Sequence, residues 1–159
     1  MRNLISFCSS ALTICIVIFS TEASAQTLID ATDPDEIRNL ASGYGSASLT
    51  TANDGSPMVS GRIDGIGYSI YFYGCEDAKD CRSIQFSAQW TGFDNLSTEV
   101  ISEWNRTKRF GGAHLDLNSN PVIEWDVNLY AGVSRNNLDD TIDWWSIVLK
   151  NFEAFLVEQ

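Results

Sequence analysis

The sequence predicts an α+β fold in which helices are segregated from an antiparallel sheet. Three observations lead to this prediction. Residues 83–90 alternate apolar and polar side chains, as expected for a strand with one face in water. Asn53-Asp54-Gly55 and Asp64-Gly65 are hairpin turn signals between apolar runs. The C-terminal segment repeats apolar residues at helical spacing, without the strand–helix–strand rhythm of a parallel sheet.

The first half of the domain is predicted to form one helix and four strands. Asp33 and Pro34 begin the helix as N-cap and first helical residue, and Gly43 ends it. Strands follow at residues 47–51, 57–63, 68–73 and 83–90. The third strand is apolar or aromatic at nearly every position, which favours a central place in the sheet.

The second half is predicted to form a helix, two strands and a long helix. Ser97 or Thr98 caps the second helix, and strands follow at residues 113–117 and 123–129. Ser134 caps the last helix, whose apolar stripe comprises Leu138, Ile142, Trp145, Leu149, Phe152 and Leu156. The predicted order is α-ββββ-α-ββ-α, in a single domain over residues 26–159.

Residues 1–25 have the pattern of a secretory signal peptide. Arg2 precedes an uncharged apolar run, and Ala23-Ser24-Ala25 is typical of a cleavage site, so cleavage is expected between Ala25 and Gln26. The apolar run is shorter than the about 20 residues that a membrane span requires. The sequence therefore predicts a bacterial periplasmic or secreted protein without stable membrane insertion after cleavage.

The acidic composition limits the partners. The formal net charge is −11, and loss of Arg2 together with Glu22 leaves it unchanged. Such a surface repels nucleic-acid phosphates and anionic lipid, so neither is an expected partner.

Two cysteines remain after cleavage. Cys75 and Cys81 form an even pair in an oxidising compartment, which predicts a disulfide. A redox role is less favoured, because the spacing is not C-x-x-C and Glu76 and Asp77 disfavour a thiolate.

The chain resembles the exported, cysteine-containing branch of the YbjN-like family. The most specific part of the likeness is Glu103-Trp104-Asn105-Arg106-x-x-Arg109-Phe110; it also includes Tyr73-Gly74-Cys75, Asp126 and Gly132-Val133-Ser134. This resemblance implies a fold like that of type III secretion chaperones, which is a twisted antiparallel sheet with helices on one side, often paired as dimers. It also implies a label of sensory-transduction regulator. It supplies no catalytic residues.

A basic segment is the first candidate binding site. Trp104 and Asn105 lead into Arg106, Lys108 and Arg109, and these cations could hold a carboxylate or phosphate. The alternative is structural: the cations stabilise the end of the second helix, or pair with Asp116, Asp126 or Glu124 on neighbouring strands. The structural alternative is favoured.

No catalytic or metal site is expected. His114 is the single histidine, so a Ser-His or Cys-His pair and a His-rich metal site are both excluded. Glu99 and Glu103 share one helix face and are better explained as surface charge than as an acid–base pair. No sequence pattern calls for a cofactor.

A candidate interface lies on the last helix. Trp144, with Val148 and Phe155 in helical register, widens the apolar surface beyond the core-facing stripe. This surface either covers a homodimer interface or a partner groove, or packs on the sheet, and packing on the sheet is slightly favoured. The leading functional hypothesis is a non-enzymatic binding or accessory module acting through protein or peptide contacts. The alternative is a small-anion sensor or an enzyme that uses Arg106 and Arg109.

Overall fold

The computed structural model describes residues 27–93 and 96–159. The signal-peptide prediction and its cleavage site lie outside these residues. The described residues form β1 (Leu28–Ile29), α1 (Pro34–Ala41), β2 (Ser46–Thr51), β3 (Pro57–Ile63), β4 (Ile66–Tyr73), β5 (Ser83–Gln89), α2 (Thr98–Thr107), β6 (Gly112–Leu115), β7 (Pro121–Asn128), β8 (Val133–Ser134) and α3 (Arg135–Val157).

The fold is α+β with antiparallel sheets. Six strands pair in the order β2-β3-β4-β5-β7-β6, so β2 and β6 are the two edges of the main sheet. A second, two-stranded sheet joins β1 to β8. The predicted class is confirmed, as is the order of three helices and six strands. The short strands β1 and β8 were not predicted, because two residues are too few to produce an alternating pattern.

Several predicted strand bounds differ from the structure by one or two residues, and two of these differences have a clear cause. The β4 strand begins at Ile66, because Asp64 and Gly65 alone form the hairpin turn, with φ angles of 49° and 89°. The β6 strand ends at Leu115, and Leu117 is fully exposed in the following turn. The carboxylate of Asp116 starts that turn by accepting the backbone N–H groups of Asn118 and Asn120.

The helices begin where side-chain oxygens accept their free N–H groups. Asp33 accepts from the backbone of Asp35 and Glu36 at α1. Ser97, not Thr98, caps α2 by accepting from Val100, and Ser134 caps α3 by accepting from Asn137. Capping therefore agrees with the sequence pattern in all three helices.

The core lies between α3 and one face of the sheet. Every residue of the predicted α3 stripe is buried, and the Trp145 ring lies 5.3 Å from the Phe86 ring of β5. Alternate residues of β4 are also buried: Ile66, Tyr68, Ile70 and Phe72. Each large buried apolar side chain contributes about 1.5–3 kcal/mol to folding, so this face holds the sheet and α3 together.

The disulfide prediction is confirmed. Cys75 and Cys81 are bonded and close the connection from β4 to β5. Glu76 and Lys79 exchange backbone hydrogen bonds within this short loop. The disulfide therefore fixes the turn between two central strands of the sheet.

Candidate functional site

Two of the four candidate binding residues fasten α2 to the edge of the sheet. The Trp104 side chain is buried, and its Nε1–H donates to the Gly111 carbonyl at 3.0 Å. The Asn105 amide bonds both backbone groups of Ala113 in β6, donating at 2.9 Å and accepting at 2.8 Å. The polar atoms of Trp104 and Asn105 thus hold the chain in place, and a ligand-binding role for these two residues stays a prediction.

The basic segment is not neutralised in the way the sequence suggested. Arg106, Lys108 and Arg109 are exposed, and none forms an ion pair within residues 27–93 and 96–159. The expectation that nearby acids would pair with them is wrong for the described residues.

Those acids are engaged elsewhere. The Asp116 carboxylate accepts from Gln89 and Asn120, and the Asp126 carboxylate accepts from Gln85. The nearest basic group to Glu124 is His114, whose Nδ1 lies 3.9 Å from Glu124 Oε2. The cations at the end of α2 and just after it therefore face solvent, and no described acidic group neutralises them.

Aromatic rings support two of these cations. The Lys108 Nζ lies 5.6 Å from the centre of the Trp104 ring, and the Arg109 guanidinium lies 5.1 Å from that of Phe110. These distances are within the about 6 Å range of cation–π attraction. The Phe110 ring also stacks on Trp125, with centroids 4.8 Å apart, and is 5.2 Å from Trp144.

The basic segment and the surface of α3 enclose a cleft of about 110 Å³. We call it the aromatic cleft, and it is lined by Trp104, Lys108, Arg109, Phe110, Trp144, Ile147, Val148 and Asn151. The structure thus brings together two regions that the sequence analysis treated separately, the candidate binding segment and the candidate interface.

The candidate interface residues differ in exposure. Trp144 is 40% exposed, whereas Val148 is buried at 5%. Phe155 is half-buried, with its ring 5.5 Å from that of Trp104. Val148 and most of Phe155 therefore pack into the core, in agreement with the favoured packing alternative. An interface role for this surface stays a prediction, and its exposed part is the narrow cleft wall at Trp144.

Two lining residues were missed by sequence reasoning. Ile147 is 38% exposed beside Trp144, and Asn151 lies one turn further along α3. Their positions at i+3 and i+7 from Trp144 were available as a signal, because residues at this spacing share one helix face. The segment from Lys108 to Phe110 could not be placed against them by helical spacing alone.

Gly111 allows the basic segment to pack closely. Its φ is 76°, and a Cβ there would lie 2.8 Å from the Ile123 side chain. Glycine is therefore required for both conformation and space. The turn into β6 can therefore lie directly against the side chains of Ile123 and Val148.

The paired glutamates of α2 behave as surface charges. Hydrogen bonds from the backbone N–H of Glu99 and from Ser97 hold the pKa of Glu99 below its ordinary value. A general acid requires the opposite, a raised pKa. The structure thus gives no support to an acid–base role for Glu99.

Other depressions among the described residues are larger than the aromatic cleft. A groove of about 670 Å³ lies at the C-terminal end of α3, where Lys150 pairs with Asp64 and the Trp90 indole donates to Glu153. A polar depression of about 420 Å³ lies on the open sheet face.

Within the described ranges, no cluster of three metal-binding side chains is found. Nor does any described helix combine the length and apolar character needed to cross a membrane.

Comparison with known proteins identifies the family. The YbjN family model, described as "Putative bacterial sensory transduction regulator", matches residues 33–158. The match includes α1 to α3, the disulfide and the whole aromatic cleft. No curated protein and no solved structure matches the chain. The resemblance seen in the sequence is confirmed, and the chain belongs to the YbjN family.

Proposed function

We propose that this chain is an exported, non-enzymatic binding module whose aromatic cleft holds an acidic segment of a partner protein. One observation carries the proposal. Two exposed cations without an ion pair among the described residues, Lys108 and Arg109, line a cleft whose walls include the partly exposed Trp144 and Ile147. A third exposed cation, Arg106, lies in the last turn of α2 just before them. A module that binds a partner without catalysing a reaction is compatible with the regulatory description of the family.

The size of the cleft favours a side chain over a whole small molecule. Its volume is about 110 Å³, whereas small-molecule and cofactor pockets have about 300–1,000 Å³. A single leucine-sized side chain suits the cleft. Aromatic and aliphatic walls bind such a side chain by removing apolar surface from water.

The charges favour an acidic partner. The chain carries a net charge of −11, so its surface repels most acidic proteins. Lys108 and Arg109 in the cleft wall, together with Arg106 in the last turn of α2, form a local exception. Guanidinium groups bind carboxylates in a bidentate manner, which adds orientation to the attraction. A partner segment with an apolar side chain flanked by Asp or Glu therefore fits the site, because its side chain matches the apolar walls and its carboxylates match the nearby cations.

Export is supported by the N-terminal pattern and by the disulfide. Residues 1–25 have the order of charged, apolar and cleavage regions that directs secretion. The bonded Cys75 and Cys81 suit an oxidising compartment. We therefore place the binding function in the periplasm or outside the cell.

The second candidate function is a small-anion sensor. It is favoured by the exposed cations Arg106 and Arg109, which form no ion pair among the described residues, considered without the apolar walls. A phosphate or carboxylate ion would then bind at the rim and leave Trp144 uncovered. The two functions differ in whether an apolar side chain contributes to affinity.

Peptide binding tests the proposal. The probes are a labelled peptide with leucines flanked by aspartates, the same peptide with lysines instead, and inorganic phosphate. We expect only the acidic peptide to bind, and we expect the Arg106→Gln/Arg109→Gln variant and the Trp144→Ser variant to lose binding. The control, Arg62→Gln/Lys79→Gln, makes the same change in net charge elsewhere and should bind as the wild type does. Binding of phosphate without any binding of the acidic peptide would favour the sensor.

A further inference from the structure

The two edges of the main sheet differ in how they are protected. At the β6 edge, the Asn105 side chain bonds both the N–H and the C=O of Ala113. The β6 strand is also only four residues long. Short length and covered backbone groups are typical protections against pairing with another strand.

The β2 edge has none of these protections. Ser46–Thr51 pairs with β3 over six consecutive residues without a bulge, and it contains no charged residue and no proline. Among the described residues, β2 forms no hydrogen bond outside its ladder with β3. Leu49 is 41% exposed at its middle. Such an edge is a template for a further strand.

The hydrogen bonds of the first hairpin determine which groups of β2 face outward. The Ala52 N–H donates to the Ser56 carbonyl at 2.9 Å, so this pair is of the hydrogen-bonded type. Hydrogen-bonded and non-hydrogen-bonded pairs alternate along an antiparallel ladder. The backbone groups of Ala47, Leu49 and Thr51 therefore point away from β3.

We propose that a second copy of this chain pairs with β2 in antiparallel orientation, around a twofold axis at Leu49. In this register Ala47 of one copy faces Thr51 of the other, and the two Leu49 residues face each other. Each outward N–H and C=O group of Ala47, Leu49 and Thr51 then faces a complementary backbone group of the other copy. This gives about six hydrogen bonds between the copies. The register is self-complementary, as a closed dimer requires.

The side chains of β2 support a second copy as the occupant. Ser48 faces Thr50 across the axis, so polar side chains meet polar ones. The two exposed Leu49 side chains cover each other. Copies with a net charge of −11 repel one another, and a strand without charge is where that repulsion is smallest. This surface is distinct from the α3 surface that the sequence alone indicated.

Sedimentation of the purified protein, produced from the full sequence, tests the pairing. We expect a dimer whose proportion rises with concentration. Leu49→Lys and Leu49→Glu should each weaken the dimer at least about tenfold, because like charges then meet at the axis. An equimolar mixture of the two variants should restore it. Leu117→Lys, at a fully exposed residue in the turn after β6, should leave it unchanged.

Cross-linking gives a second measurement that does not depend on affinity. Opposed residues in a hydrogen-bonded pair have Cα atoms about 5.5 Å apart, within the about 4.4–6.8 Å that a disulfide spans. Leu49→Cys should therefore give a covalent dimer under oxidising conditions, and Leu117→Cys should not. A wild-type protein that stays monomeric up to about 0.3 mM overturns the proposal. So does a dimer that persists in both Leu49 charge variants but is lost in Trp144→Ser.

Discussion

At the residue scale, the Trp104-to-Phe110 segment divides into inward and outward groups. Trp104 and Asn105 direct their polar atoms to the backbone of the segment that enters β6. Arg106 and Arg109 direct their charge to solvent. The sequence identified the segment as distinctive, but it could not separate these roles. The bonds join residues that approach only when α2 packs on β6.

The Asn105 bonds should stabilise the fold measurably. Asn105→Ala leaves both backbone groups of Ala113 without their side-chain partner, and each such hydrogen bond contributes about 0.5–1.5 kcal/mol. We expect a loss of about 1–2 kcal/mol in the free energy of unfolding, measured by urea denaturation. Asn105→Asp retains an acceptor for the Ala113 N–H and should lose less. An unchanged midpoint for Asn105→Ala would show that water replaces the side chain at no cost.

Asp116 should make stability depend on pH. Hydrogen bonds from the backbone of Asn120, then from the Asn120 side chain, hold the pKa of Asp116 below its ordinary value of 3.8. A lowered pKa in the folded state stabilises the fold above the unfolded pKa, and this contribution is lost as the pH falls through the folded value.

The corresponding comparison is between the wild type and Asp116→Ala. Their melting temperatures should differ at pH 7, and the difference should shrink from about pH 5 downward. Asp140→Ala removes one charge but no hydrogen bond among the described residues, and it is the control for net charge. A difference that stays constant from pH 7 to pH 2 would contradict the role given to the Asp116 carboxylate.

At the element scale, patterns within one element were predictable and contacts between elements were not. Alternation placed β5, and helical spacing placed the buried stripe of α3, because each pattern depends on local geometry. The β1–β8 pair joins residues 28–29 to 133–134 and leaves no local pattern. The aromatic cleft likewise joins the end of α2 to the middle of α3.

The disulfide should stabilise the β4–β5 connection without being essential for folding. Cys75→Ser/Cys81→Ser opens a loop with a sequence separation of 6. The entropy of closing so short a loop is equivalent to about 2 kcal/mol. We expect a loss of this size in the free energy of unfolding and an unchanged circular dichroism spectrum. Loss of the folded spectrum would show that the disulfide is required for the sheet to form.

At the scale of the whole molecule, the two proposed surfaces lie at opposite ends of the sheet order. The β2 edge is at one end, and α2 packs on β6 at the other. A dimer formed through β2 therefore leaves both aromatic clefts free to bind. The family description applies to the domain as a whole and names no residues. The aromatic cleft gives the domain a defined candidate binding surface.

Site-specific photo-cross-linking in the native cell tests the role of the cleft most directly. A photoreactive residue replaces Ile147 in the cleft, and the same residue replaces Leu117 as the control. We predict a discrete cross-linked partner from position 147 only, attached through an acidic segment that contains an apolar side chain. The product should disappear in the Arg106→Gln/Arg109→Gln background while the melting temperature stays unchanged. Equal products from both positions, or a product that persists without the two arginines, would contradict binding at the aromatic cleft.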